Sequence, residues 1–128
     1  TPVVAPITHD GSGNLLNTNA DTIATELAIA LAEQYDVRLA FCFEKKGVLA
    51  DVEDENSVML SISQSEYGKM KEEGQVHSGM IPKLDNAYRA INGGVATVKI
   101  MHHSDIHRWQ PDVSAEKLNF GTTLNNEQ

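Results

Sequence analysis

Two places in the chain concentrate the residue types that hold anions. The run Asn14-Leu15-Leu16-Asn17-Thr18-Asn19-Ala20-Asp21 gathers side-chain amides and a carboxylate just ahead of a stretch, Ala20 to Tyr35, whose apolar spacing predicts a helix. The first N–H groups of a helix lack partners inside it and carry partial positive charge, so anions collect there. The same residues also suit a plainer role, in which Asn17 and Asn19 shape a turn and cap the helix while Asp21 complements its dipole. The second place is Gly79-Met80-Ile81-Pro82-Lys83, a glycine-led loop that delivers a lysine into the first turn of another helix. A lysine there opposes the macrodipole, which is unfavourable unless an anion binds nearby or solvent screens the charge. Taken together, the two places suggest an anion held between helix N-termini, with Lys83 supplying charge and Asp21 orienting it.

The common phosphate loops are absent. Gly11-Ser12-Gly13 follows a strand-like run, but Leu16 stands where a dinucleotide fingerprint needs glycine. Gly74 to Gly79 has P-loop spacing, yet Met80-Ile81 replace the required lysine and Ser or Thr. His102, His103 and His107 invite a metal reading, and His103 and His107 could share a helix face. No cysteine or glutamate pattern accompanies them, so a surface segment and no metal site are expected. The acidic run Asp51 to Asn56 lacks the glycine and terminal glutamate of a calcium loop and reads as solvated. His9 reads as a turn residue and Trp109 as a packing residue.

The elements that must position these residues follow from periodicity. Val3 to Ile7 is apolar without alternation, as in a strand buried on both faces, and His9 to Asn14 is turn chemistry. Ile23, Leu27, Ala30 and Leu31 form the apolar stripe of the first helix, with Asn19 placed to cap it. Val37 to Phe43 predicts a second buried strand, and strand, helix, strand is the unit of a parallel sheet. Ser63 and Glu66 form a capping box that opens a short helix, which Gly74 closes. Pro82 suits the first turn of the next helix, whose stripe is Leu84, Ala87, Tyr88 and Ile91. Val95 to Met101 predicts another buried strand, and Leu118 to Leu124 a last edge strand. An α/β layer fold follows, with ligands expected at the carboxyl ends of the strands.

Composition narrows the function classes. The 128 residues suit one domain, and 41% hydrophobic residues suffice for a core. A net charge of -8 repels phosphate backbones and anionic lipid, so neither a nucleic-acid nor a membrane partner is expected. The single cysteine, Cys42, lies in an apolar run and is expected to be a small buried hydrophobe in a reducing compartment. No run approaches the roughly 18 apolar residues of a membrane span, so a cytoplasmic protein is expected. The chain opens without methionine inside a strand-like run, which suggests a truncated chain.

Gly13 to Thr22, Gly47-Val48-Leu49, Gly79 to Lys83 and Gly121-Thr122-Thr123, in that order, resemble the acetylglutamate kinase branch of the amino acid kinase family. The likeness covers the family's C-terminal half only, from residue 1 to about Met101 and again at the final Gly-Thr. It implies a three-layer α/β sandwich with a mainly parallel sheet. It also implies ATP and Mg2+ as cofactors, an N-acyl-L-glutamate substrate phosphorylated on its side-chain carboxylate in arginine biosynthesis, and a homo-oligomer when complete. By the same resemblance Lys83 neutralises phosphoryl charge, Asp21 holds catalytic lysines, and Asn17 and Asn19 face the substrate. Glu44, Lys45, Gly47, Val48, Leu49, Val76, His77, Gly79 and Met80 would line the nucleotide site.

The chain departs from the family pattern at Phe43-Glu44, where many relatives have Ser or Thr followed by Asp, at Lys45-Lys46, and through His102 to Trp109. A second catalytic lysine and the glycine-rich phosphate loops would lie in the absent half, so little activity is expected of these residues alone. The alternative is a non-catalytic nucleotide-sensing or interaction domain of the same fold.

Overall fold

A computed structural model describes residues 1–109 and 119–126. In chain order these form β1 (Ile7–His9), β2 (Leu15–Asn17), α1 (Ala20–Ala32), β3 (Arg38–Phe43), β4 (Ser61–Ser63), α2 (Gln64–Glu72), α3 (Ile81–Asn92), β5 (Thr97–His102), a 3-10 segment (His103–Arg108) and β6 (Thr122–Asn125). The main sheet runs β3-β5-β6-β4. β3 pairs parallel with β5 and β4 parallel with β6, while β5 and β6 meet antiparallel, so the sheet is mainly parallel as expected.

Register assigns the two faces. Leu39, Phe41 and Phe43 share a face with Val98 and Ile100, and this face packs on the helices through Ala28, Tyr67, Leu84, Ala87 and Tyr88. Arg38, Ala40, Thr97, Lys99 and Met101 point the other way, where the Arg38 guanidinium lies over the Trp109 ring and the Lys99 ammonium over Phe120. Helices on one face and the 3-10 segment with Trp109 and Phe120 on the other give the expected layered sandwich.

Local chemistry explains the helix ends. The Ser63 hydroxyl takes the Glu66 N–H at 3.2 Å while the Glu66 carboxylate takes the Ser63 N–H at 2.8 Å, completing the capping box of α2. Gly74, at φ 68°, ends that helix in the left-handed conformation that side chains disfavour. The Tyr67 and Tyr88 rings stack at 5.3 Å between α2 and α3, and the Tyr88 hydroxyl donates to the Ile62 carbonyl at 2.9 Å.

Four expectations are corrected. Val3 to Ile7 is not a doubly buried strand: Val3 is 95% exposed, and only Ile7 joins a strand, in the separate antiparallel ribbon β1-β2. An apolar run without alternation carries no information about what covers it. The stripe of α1 is turned away from the core, with Leu27 and Leu31 44% and 50% exposed, whereas Thr25 and Ala28 are buried. Close approach to α3 selects small residues here: a Cβ on Gly93 would sit 2.6 Å from Ile29 Cγ1, and the Thr25 hydroxyl donates to the Asn86 carbonyl at 3.4 Å. β6 is not an edge strand but lies between β5 and β4. Cys42 is exposed: it lies on the face opposite Phe41 and Phe43 and on β3, which is the edge strand of the sheet. Among the described residues no helix is long and apolar enough to cross a membrane.

Candidate functional site

The packing of α1 against α3 brings Asp21 and Lys83 together across 62 residues of sequence. The Lys83 ammonium donates to Asp21 Oδ1 at 3.0 Å and Oδ2 at 2.8 Å, and the two side chains are only 13% and 25% exposed. Its Nζ also lies 5.4 Å from the Phe41 ring centroid and 5.6 Å from that of Phe43, two alternate residues of β3. The pair therefore sits where both helices begin, against the carboxyl end of β3.

The two helix starts differ. Asn19 Oδ1 accepts the Asp21 N–H at 2.8 Å and the Thr22 N–H at 3.4 Å, so its side-chain oxygen is committed to capping α1. The start of α3 has no side-chain cap from Met80, and Pro82 contributes no N–H in its first turn. An anion between the two helix starts would therefore meet free dipole from α3, with Asp21 turned to Lys83 rather than to the ligand. Asn17 ends β2, exposed, opposite Ile7.

Phe43, whose ring lies beside Lys83, also lines a cavity of about 380 Å³. One wall is the turn bearing Glu44, Lys45, Gly47, Val48 and Leu49, and the other bears Val76, His77, Gly79 and Met80, so all nine residues expected around a nucleotide line this one space. Phe43, Val52, Met70 and Gln75 complete it; of these, Phe43 entered the sequence analysis as a departure from the family pattern, not as a lining residue. Phe43 was legible in principle, since it shares parity with Phe41 on the helix-facing side of β3. The apolar share of the lining, with Val48, Met70, Val76 and Met80, suits a flat heteroaromatic ring.

The turn forming the first wall is held from the far end of the chain. The Val48 N–H donates to the Thr122 hydroxyl at 2.8 Å. A Cβ on Gly47 would lie 2.7 Å from that same oxygen and 3.2 Å from the Gly121 carbonyl carbon, so only glycine lets the turn approach so closely. The Leu49–Val58 bridge closes the loop behind it. A second cavity, of about 510 Å³, shares Glu44, Lys45 and Leu49 with the first and otherwise carries Lys46, His102, Asp105 and Arg108. Its charges are largely paired, Arg108 with Asp105 at 2.9 Å and Lys45 with Glu55 at 3.5 Å.

Two of the three histidines contact each other. The His102 and His103 rings lie 4.1 Å apart, and His102 Nδ1 is 2.7 Å from the Ser104 hydroxyl. Among the described residues no three His, Cys, Asp or Glu side chains form a metal-holding group.

The sequence profile of the amino acid kinase family matches residues 1–102, which include the Asp21–Lys83 pair and every expected cavity residue. The chain belongs to the amino acid kinase family. An acetylglutamate kinase of Cytophaga hutchinsonii is 57% identical over 100 residues, which is 78% of this chain and 38% of that protein. An acetylglutamate kinase of Bacteroides fragilis is 56% identical over 106 residues, 83% of this chain and 41% of that protein. This amino acid kinase chain thus spans about two-fifths of the length of the curated relatives it matches. Among solved structures, N-acetylglutamate synthase from Neisseria gonorrhoeae superposes with a TM-score of 0.75 over 95% of this chain and 27% of that one, at 18% identity, a likeness of fold.

Proposed function

We propose that this chain is the nucleotide-binding portion of an acetylglutamate kinase-type enzyme, which transfers the γ-phosphoryl group of ATP to the side-chain carboxylate of an N-acyl-L-glutamate, acetyl or succinyl. The observation that carries this is the half-buried Lys83–Asp21 pair beside Phe43, a residue that also lines the cavity between the Glu44–Leu49 turn and the Val76–Met80 loop. The relatives named acetylglutamate kinase, 57% and 56% identical, support an acylglutamate as the acceptor.

The chemistry asks little acid–base work of the protein. The acceptor carboxylate is already ionised near neutrality, so one of its oxygens attacks the γ-phosphorus directly. The bond from that phosphorus to the β–γ bridging oxygen breaks, ADP leaves with the electron pair, and an acyl phosphate remains. No general base is needed, and Asp21 is not one. Catalysis reduces to alignment and charge stabilisation. Lys83 faces the negative charge spread over the transferring group, Asp21 holds the ammonium in place, and the uncapped start of α3 adds its dipole. The apolar cavity takes the adenine, and Asn17 takes the backbone end of the acylglutamate. Mg2+ bound with the triphosphate would neutralise part of the charge on its oxygens.

A chimera tests this. The segment of the Cytophaga hutchinsonii relative outside the match is joined to this chain, and ADP release is followed with acetyl- and succinylglutamate, the acyl phosphate being trapped with hydroxylamine. Acylglutamate-dependent release is expected, reduced about 10²-fold in Lys83→Ala. Nucleotide binding without release on either substrate would sink the kinase reading and leave a nucleotide-sensing module.

A further inference from the structure

We infer that Phe43, together with Phe41, forms an aromatic clamp that positions the Lys83 ammonium, which makes Phe43 a positioning residue for phosphoryl transfer. The kinetic part of this inference rests on the function proposed above; the clamp itself does not.

The Lys83 ammonium has three N–H groups and, among the described residues, two polar contacts, both to the Asp21 carboxylate. Little of the side chain meets water, at 13% exposure, so its remaining surroundings decide where the charge sits. Those surroundings are the faces of two rings, with centroids 5.4 Å away for Phe41 and 5.6 Å for Phe43, within the range where a ring's negative face attracts a cation. An aliphatic side chain in either place would desolvate the ammonium equally and return no attraction. Asp21 and the rings therefore fix the ammonium from different sides.

The two rings are not equivalent. Phe41 is buried in the core, whereas Phe43 is half-buried and also lines the cavity. Phe43 thus touches both the lysine and the space assigned to the nucleotide. Its removal should leave the cavity able to admit ligand while letting the ammonium drift from the reacting phosphate. A side chain acting only as a cavity wall would instead affect ligand affinity.

Two measurements decide the matter. In the 128-residue chain labelled at lysine Cε, Phe43→Leu should move the Lys83 signal toward the position of an exposed lysine. Phe43→Tyr should leave most of the ring-current shift, and the Lys99 signal, set by Phe120, should stay in place as a control on folding. In the chimera, Phe43→Leu should lower kcat about tenfold with KM for ATP within about twofold, and Phe43→Tyr should recover at least half of that loss. A Lys83 signal unmoved by Phe43→Leu, or a change confined to KM, overturns the inference. A chimera inactive in every form would count against the proposed function, while the lysine spectrum would still decide the clamp.

Discussion

The Thr122 hydroxyl accepts the Val48 N–H at 2.8 Å, tying the last strand to a turn 74 residues earlier that forms one wall of the cavity. Thr122 is fully buried, and so is the N–H it satisfies. Thr122→Val keeps the shape and removes the acceptor, leaving a buried donor unpaired at a cost of about 1–3 kcal/mol. Thr122→Ser retains the oxygen and should lose less. Urea unfolding of the two variants checks this, and equal midpoints would show that the hydroxyl does not anchor the turn.

Gly47 tests the same junction from the other side. Its backbone needs no unusual conformation; the constraint is space, because an added methyl meets Thr122 Oγ1 at 2.7 Å and Val58 Cγ1 at 3.1 Å. Gly47→Ala should therefore destabilise by about 1–3 kcal/mol, as overpacking does, and weaken any ligand held by the turn. Wild-type stability in this variant would mean that the turn moves freely away from β6.

The Asp21–Lys83 pair is intermediate between a surface and a buried ion pair. A double-mutant cycle with Asp21→Asn and Lys83→Met should give a coupling energy of roughly 1–3 kcal/mol, above the range of exposed pairs and below that of fully buried ones. The more exposed Lys71–Asp85 pair, at 2.8 Å, should couple less and lose more of its coupling in salt. Equal coupling in both pairs would refute a special environment for Lys83.

Lys99 gives a pH signature. Burial pushes its ammonium down to about 8, with the Arg38 guanidinium adding to the shift, while Thr123 supplies one hydrogen bond at 3.0 Å. Between that value and the ordinary lysine value of about 10.4, the unfolded chain holds a proton that the folded chain has released, so this group's contribution raises stability as pH climbs through that window. Below pH 8 both states are protonated and the folded state carries the burden of a buried charge. Lys99→Met should stabilise the protein at pH 7 on the order of 1–3 kcal/mol and flatten the alkaline rise. Denaturation curves at pH 7 and pH 10 check both, and parallel pH profiles for the two proteins would remove the assignment.

Much of the architecture was legible before any coordinates. β3 and β5 are mainly apolar runs, interrupted by Arg38 in one and Lys99 in the other, the Ser63–Glu66 box and Pro82 mark helix starts, and Gly74 marks a stop, because each of these signals acts within a few residues of itself. The candidate site was legible residue by residue: a lysine opposing a helix dipole, an acidic residue in another first turn, and glycine-led loops. The buried face of α1 was not, since propensity named Leu27 and Leu31 while packing against α3 chose Thr25 and Ala28. Phe43 likewise stood out only as a departure from the family pattern, not as a neighbour of Lys83.

From the amino-acid order alone come the identities of the elements, the polarity of their ends and the ordered motifs of the amino acid kinase family. The bond between Lys83 and Asp21, the rings beside that lysine, the hold of Thr122 on Val48 and the interior place of β6 come from the folded arrangement. Local steric and dipolar preferences write the first set, because they act over a single turn of helix or a few residues of strand. Distances between groups 62 and 74 residues apart depend on strand order and helix approach, which the whole core fixes together.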